Sequence, residues 1–373
     1  MADRYVSVFL EDVMMKIDKL IDPELLDSML ESKCIVSRRH PSLPLTIFNY
    51  TDKAAYGRIW NVATRLCRGL IVSDDKDVIA RPFSKFFNVE EHAVDNSLGL
   101  PQLPLEKFST TEKLDGSLII GCSYEGGTVV ASRGSFQSEM AIHAQGLIKR
   151  EYGNFVFPSD ETWCFEIIYP ENRIVIDYGD KDELILLGVV ETETGYDLPL
   201  PEETPFRRVI SYGFDSVDEV LSMRLKDIEG FVLRFESGLR VKVKTDQYKL
   251  LHKLIWQTTT KYIWELLRSK KSVDEFLSSM PEDLRQWICI HIARFREKFI
   301  VVEVAARDVA KRATGLGIED PMRTGRKEIA RFVTVNEYPY IVFKMLDGKD
   351  YVDDIWKLLK PDLAESFRQS SKE

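Results

Sequence analysis

The stretch TTEKLDGSLIIGCSYEGGTVVASRGS (110–135) reads as strand segments punctuated by tight turns. SLIIGCSY (117–124) and GTVVAS (127–132) are short, apolar and rich in β-branched residues. Gly126 and Gly127 between them supply the positive φ that a hairpin turn requires. The same texture runs outward in both directions. LTIFNY (45–50), GLIVS (69–73), RIVIDY (173–178), ELILLGVV (183–190) and FVLRF (231–235) are further strand-length runs separated by turn residues. Before them, Val13, Ile17, Leu20, Ile21, Leu25 and Met29 recur at helical spacing. Past Leu250 the strand texture stops, and Leu254, Ile255, Ile263, Leu266 and Leu267, then Trp287, Ile288, Ile292 and Phe295, follow a helical period. Ser272-Val-Asp-Glu275 fits a capping box and Pro281 a first helical turn. The expected fold class is α+β, with one domain over 1–250 and a helical domain over 251–373.

Composition narrows the function. The chain has 373 residues, enough for two cores, and its 20 Phe, 14 Tyr and 6 Trp exclude a disordered polymer. No apolar run reaches the roughly 20 residues of a membrane span. Asp3, Glu11 and Asp12 interrupt any signal-peptide core. Five cysteines (Cys34, Cys67, Cys122, Cys164 and Cys289) form no CxxC and fit a reducing cytoplasm. The net charge is -9, so contact with nucleic acid has to come from a local basic patch rather than bulk charge. The five histidines, His40, His92, His143, His252 and His291, have no metal-ligand spacing.

Chemistry concentrates in a few segments. Lys113 is expected in a turn ahead of an apolar strand, with Asp115 two residues on and Gly116 allowing close backbone approach. A lysine is nucleophilic only when neutral, so a metal or second cation has to lower its pKa, and a nearby acid can hold that metal. A solvated lysine in an ordinary turn fits the same six residues. In Leu239-Arg-Val-Lys-Val-Lys-Thr245, alternation places Arg240, Lys242 and Lys244 on one face. If Ser237-Gly238 forms a two-residue loop, Leu233 lies opposite Lys242 and Phe231 opposite Lys244, with Glu229 on the same side. That face would offer a carboxylate, two ammoniums and an apolar floor. An amphipathic hairpin with its lysines in water is the plainer reading. Glu166 interrupts the apolar run Phe165-Glu-Ile-Ile-Tyr169, where it has either an ion-pair partner or a ligand. Arg68 precedes a strand, and Arg81 and Lys85 interleave with Phe83, Phe86 and Phe87, which suits phosphates and bases or a strand edge equally well. Ser132-Arg-Gly-Ser-Phe136 is a polar turn after a strand.

Taken in order, these segments resemble the covalent nucleotidyltransferase superfamily of polynucleotide ligases and mRNA capping enzymes. Within it the closest likeness is to the phage-type RNA ligase 1 family. KLDGSL (113–118), CRGLIV (67–72), RPFSKFFN (81–88), FEIIYPENRIVIDY (165–178), EGFVLRF (229–235) and VKVKTDQY (241–248) carry it. EYPYIVFKMLDGK (337–349) resembles that family's C-terminal domain more loosely. The resemblance implies an antiparallel-sheet, ATP-grasp-like nucleotidyltransferase domain followed by an all-helical domain. It implies an ATP-dependent RNA ligase that uses magnesium to join 5′-phosphate and 3′-hydroxyl ends through lysyl-AMP and RNA-adenylate. Lys113 would be the nucleophile, and Arg68, Lys85, Lys242 and Lys244 would hold phosphates. Glu166 would contact the ribose, Glu229 with Asp115 would serve the metal, and Phe87 would lie near the nucleotide.

The implied partner is RNA, as single-stranded ends or a broken tRNA anticodon loop. The implied setting is a monomer in a bacterial host cytoplasm, phage-encoded and acting in RNA or tRNA repair. The basic residues Arg307, Lys311, Arg312, Arg323, Arg326, Lys327 and Arg331 would form the RNA-facing surface, or else a solvated helix face interrupted by Asp308, Glu319, Asp320 and Glu328. An mRNA guanylyltransferase and a DNA ligase share the covalent lysine. Leu118, where both usually carry arginine, counts against these two, and the helical C-terminus counts further against a capping enzyme.

Overall fold

The computed structural model describes residues 14–92, 99–153, 155–269, 272–278, 282–315 and 326–367. Asp3, Glu11, Asp12, Val13, Pro281, Glu319, Asp320 and Arg323 lie outside the described residues, as do the side chains of Glu275 and Arg326. The chain divides into two compact units at Lys249/Leu250. None of the helices described is long and apolar enough to cross a membrane.

The first unit is α+β and contains three largely antiparallel sheets. One has the order β1 (Ile35–Arg39), β2 (Leu45–Tyr50), β3 (Arg68–Ser73), β4 (Val78–Ala80). A second contains β5 (Phe87–Asn88), β6 (Phe108–Lys113), β13 (Ser211–Tyr212), β14 (Gly230–Phe235) and β15 (Arg240–Lys244), in the order β13-β6-β14-β15-β5. The third contains β7 (Ser117–Tyr124), β8 (Gly127–Ser132), β9 (Glu161–Ile168), β10 (Glu183–Glu191) and β11 (Asp197–Leu198), ordered β11-β10-β9-β7-β8. A short β12 (Arg207–Arg208) runs parallel on β10.

Burial explains why the strands read so differently in sequence. The third sheet is covered on both faces. Ile120, Cys122 and Val129 pack with Leu45, Ile47 and Ile71 of the first sheet, while Ile119, Phe165 and Leu184 pack with Leu147 of the helix Glu139–Glu151 and with Phe157 and Phe206. Strands buried on both faces become continuous apolar runs. The second sheet buries one face only, where Phe231, Leu233, Phe235, Val241 and Val243 meet Val220. Its other face is free to carry charge, and β15 alternates accordingly.

Two expectations about turns and strands change. The β7–β8 hairpin has a two-residue loop with positive φ at Glu125 and Gly126, not at Gly126 and Gly127, because Tyr124 pairs directly with Gly127. RIVIDY (173–178) forms no strand. The amides of Val175 and Ile176 donate to the Asp115 carboxylate at 2.7 and 2.8 Å, so they are withdrawn from any ladder.

The second unit is helical, with its core around the 34-residue helix Glu282–Gly315. Val302, Ala306, Val309 and Ala313 of that helix pack with Val333, Ile341, Val342 and Ile355 of later helices. The helix Val273–Ser278 begins directly after Ser272.

Candidate active site

The lysine motif is the crossing between two sheets. Lys113 is the last residue of β6 rather than part of a turn, and Leu114-Asp115-Gly116 carries the chain into β7 of the neighbouring sheet. Close approach is built into that crossing: a Cβ on Gly116 would lie 2.4 Å from the Ile167 carbonyl oxygen, and the Gly116 amide donates to Glu166 Oε1 at 3.1 Å. The backbone on which Lys113 stands is therefore stitched to the strand that carries Glu166.

The register of the β14–β15 hairpin sets what faces Lys113. The loop has three residues, not two. Phe235 N donates to the Leu239 carbonyl, Gly238 N donates back to Phe235, and Gly238 has φ +83. A type I turn followed by a left-handed glycine is the usual three-residue solution. Relative to the expectation, every pair shifts by one, so Val232 lies opposite Lys242 and Gly230 opposite Lys244. Phe231 and Leu233 turn to the core instead of forming a floor under the lysines. Across the sheet the rows become Lys113–Gly230–Lys244, over three strands, and Thr111–Val232–Lys242–Asn88, over four.

Gly230 between two lysines is a steric necessity. A Cβ there would sit 1.9 Å from the Val243 carbonyl oxygen. Glu229, next to it, accepts from Lys113 at 2.6 Å through Oε2 and from Lys244 at 2.9 Å through Oε1, with its side chain only 4% exposed. Burial raises the Glu166 carboxyl to about 7, with Glu229 adding to the rise and Lys113, Arg68 and the Gly116 amide opposing it. Those neighbours gather Lys113, Glu166, Glu229 and Arg68 in one place.

Lys242 and Lys85 extend the cluster. Burial lowers Lys242 to about 7, assisted by Lys85, Lys113, Lys244 and Arg68. Burial lowers Lys85 to about 8, where Glu91 opposes and Arg68, Arg133 and Arg65 reinforce the fall. Lys85 donates to the Phe86 carbonyl at 2.9 Å and lies 4.2 Å from the centre of the Phe87 ring. Phe87 itself is buried, so it supports the ammonium from beneath. Arg68 donates to the Phe83 carbonyl, and burial lowers its pKa.

Arg240 shares the lysine face in sequence but not in role. Its guanidinium pairs with Asp197, which also holds Arg234, and lies 4.0 Å over the Phe83 ring. Asp115 also departs from expectation. Besides the two amides of 175–176, it accepts from the Tyr248 hydroxyl at 2.7 Å, and it is 3% exposed. With three donors filling it, Asp115 anchors the crossing and has little capacity left for a metal.

Several neighbours went unassigned in the sequence. Arg133, in the Ser-Arg-Gly turn, donates to the Tyr50 hydroxyl at 3.0 Å, and Trp60 packs edge-on against both Tyr50 and Phe87. The polar turn was a usable signal for Arg133. Tyr248 ends the VKVKTDQY segment, but nothing local marks it as a partner of Asp115.

Residues 66–248 match the model of the RNA ligase family. Over these residues the chain is similar to the RNA ligase family, the one its motifs resemble. A Thermovibrio ammonificans protein named "Putative RNA ligase" is 29% identical over 208 residues, half of this chain and 53% of that protein. A protein of Autographa californica nuclear polyhedrosis virus, named "Putative bifunctional polynucleotide kinase/RNA ligase", is 32% identical over 214 residues, half of this chain and 30% of that protein. The alignments thus span about half of one relative and under a third of the other. Among solved structures, an archaeal ATP-dependent RNA ligase overlaps 90% of this chain and 82% of its own at 16% identity, with a TM-score of 0.42.

The donor set suits one divalent ion arriving with a nucleotide. Among the described residues no group of three or more His, Cys, Asp or Glu could hold a metal alone. Magnesium, however, commonly uses one or two carboxylates together with substrate phosphates, and Glu229 is the buried carboxylate beside Lys113 that could be one of them.

Proposed function

We propose that this protein joins RNA ends with ATP through a lysyl-AMP intermediate. The observation that carries the reading is the Lys113–Glu229–Lys244 arrangement, a lysine at a strand end within reach of a buried carboxylate and a second ammonium. Lys113 Nζ attacks the α-phosphorus of ATP. The N–P bond forms as the bond to the pyrophosphate oxygen breaks, pyrophosphate departs, and the proton lost by the nitrogen passes to solvent. Lys244, Lys242, Lys85 and Arg68 hold the phosphates in line, so positioning and charge neutralisation do most of the catalytic work. Glu166 would accept from a ribose hydroxyl, and Glu229 would help hold the magnesium. That ion, when bound, would neutralise phosphate charge and favour the neutral amine. The AMP then passes to an RNA 5′-phosphate, and a 3′-hydroxyl displaces it. Asp115 is kept as the anchor of the lysine segment.

The helical unit is the RNA-recognising part in this reading, suited to a broken tRNA loop. A cavity of about 500 Å3 there is lined by Met345 and Leu346 together with Arg307, Lys311 and Lys349. Arg307 pairs with Glu303 and Arg312 with Asp308, so the basic surface is more local than its sequence suggests.

The test is the intact mass of the purified protein after incubation with ATP and magnesium. A gain of one AMP mapped to Lys113 supports the reading, and pyrophosphate pretreatment clears protein already adenylylated. No gain after that treatment overturns it. Labelled GTP in place of ATP would reveal a capping enzyme, and sealing of nicked duplex DNA a DNA ligase.

A further inference from the structure

The charge around Lys242 is unbalanced. Its ammonium has neither an ion pair nor a hydrogen bond among the described residues, while Lys113 and Lys244 on either side divide Glu229 between them. Four cations face it from four places: Lys85 ahead of β5, Lys113 at the end of β6, Lys244 on its own strand and Arg68 at the start of β3. The row in which it stands, Thr111–Val232–Lys242–Asn88, brings no acid. The turn packed against β15 does hold acids, but they are committed. Glu91 accepts from both the backbone and side-chain nitrogens of Asn88 and acts on Lys85, and Glu90 pairs with Lys249. Burial with no acceptor is what most disfavours a charge at this position, and the four neighbouring cations add to that until an anion arrives.

We propose that Lys242 is an uncharged amine in the nucleotide-free protein and takes up one proton from solvent as the triphosphate of ATP docks. This rests on the nucleotide reading above and adds to it that binding and protonation are a single coupled event. The cleft would then be spared the repulsion of the empty state, and the charge would appear only beside the phosphates that need it.

The direction of the pH effect follows. The free amine titrates at about 7, and neighbouring phosphates raise that value in the complex. Below about 7 the free protein already carries the proton, and binding takes up none. Above it, uptake approaches one proton, and affinity falls by up to about tenfold per pH unit until the complex itself titrates. Lys85 and Glu166 also titrate near this range, so the share of Lys242 has to be isolated. Arginine does this, since it stays charged throughout.

The experiment is calorimetry of the full chain with the non-cleavable α,β-methylene analogue of ATP and magnesium, in HEPES and in Tris at the higher pH and in MES and in Bis-Tris at the lower. The two buffers of each pair differ in ionisation enthalpy, so the difference in heat counts protons. The expected result is that Lys242→Arg takes up close to one proton fewer than the parent at about pH 8.5, and that this difference vanishes at about pH 6. Equal uptake by the two proteins overturns the proposal. A second measurement needs no nucleotide: the pH titration of the Lys242 Cε signal in 13C-lysine-labelled free protein, assigned by its loss in Lys242→Arg. A midpoint near neutrality supports the uncharged amine, and one near the ordinary lysine value overturns it even if the arginine variant binds no nucleotide. If the parent protein binds no analogue at either pH, the nucleotide reading falls and the coupling with it, while the Cε midpoint still reports the amine.

Discussion

Glu229 is held by two ammonium groups, and that redundancy separates chemistry from stability at Lys113. In Lys113→Ala the carboxylate keeps Lys244 at 2.9 Å, so no buried charge is stranded. The stability loss should stay within about 1–2 kcal/mol, while AMP attachment disappears entirely. Thermal melting and intact mass on the same sample check both halves, and adenylylated Lys113→Ala protein would sink the nucleophile assignment. Asp115 should behave in the opposite way. Asp115→Ala leaves the amides of Val175 and Ile176 and the Tyr248 hydroxyl without their acceptor in a buried site. At about 1–3 kcal/mol per stranded group, the loss should exceed about 3 kcal/mol. Asp115→Asn keeps one acceptor oxygen and should fold better, with the magnesium concentration for half-maximal adenylylation unchanged. A large rise in that concentration would return Asp115 to the metal.

At the scale of elements, one loop residue decides what the lysines face. The Glu236-Ser237-Gly238 loop puts Gly230, not Phe231, between Lys113 and Lys244, and the missing side chain leaves that space to the Glu229 carboxylate, which both lysines reach. Gly230→Ala would press a methyl group into the Val243 carbonyl, which the strand can relieve only by giving up pairing. The expected cost is about 3 kcal/mol or more, with adenylylation lost. A Gly230→Ala protein that melts normally and still adenylylates would refute the steric account.

The same hairpin shows what was legible. Alternation along 239–245 identified the cationic face, because a strand's side chains must alternate whatever its partner does. Its register was not legible, since two- and three-residue loops both accommodate Ser237-Gly238 and differ by a flip of every opposing side chain. The buried strands β7 and β10 were visible as apolar runs. RIVIDY has the same composition but lies in a loop, because its amides go to Asp115, 60 residues earlier in the chain. The contact of Lys113 with Glu229, 116 residues away, was likewise supplied by the order of motifs rather than by any local pattern.

For the whole molecule, the question is whether the two units divide the labour. The groups proposed to act on ATP, from Arg68 to Lys244, belong to the first unit, and so does the Asp115–Tyr248 anchor. Tyr248 lies in the helix Asp246–Gln257, so a cut at the unit boundary would shorten the helix that holds the anchor. A chain ending after Gln257 keeps that helix whole. It should form lysyl-AMP at a rate close to that of the full chain, because no proposed nucleotide contact has been removed. Sealing should then depend on the substrate. Short single-stranded ends, which need little beyond the cleft, should still be joined, whereas a tRNA cleaved in its anticodon loop should be joined at least about tenfold more slowly, the equivalent of losing about 1.4 kcal/mol of transition-state binding. Parallel assays of the two substrates with full-length and shortened protein measure this directly. Equal losses on both substrates would mean that the helical unit serves the chemistry itself, and no loss on either would remove its role in RNA recognition.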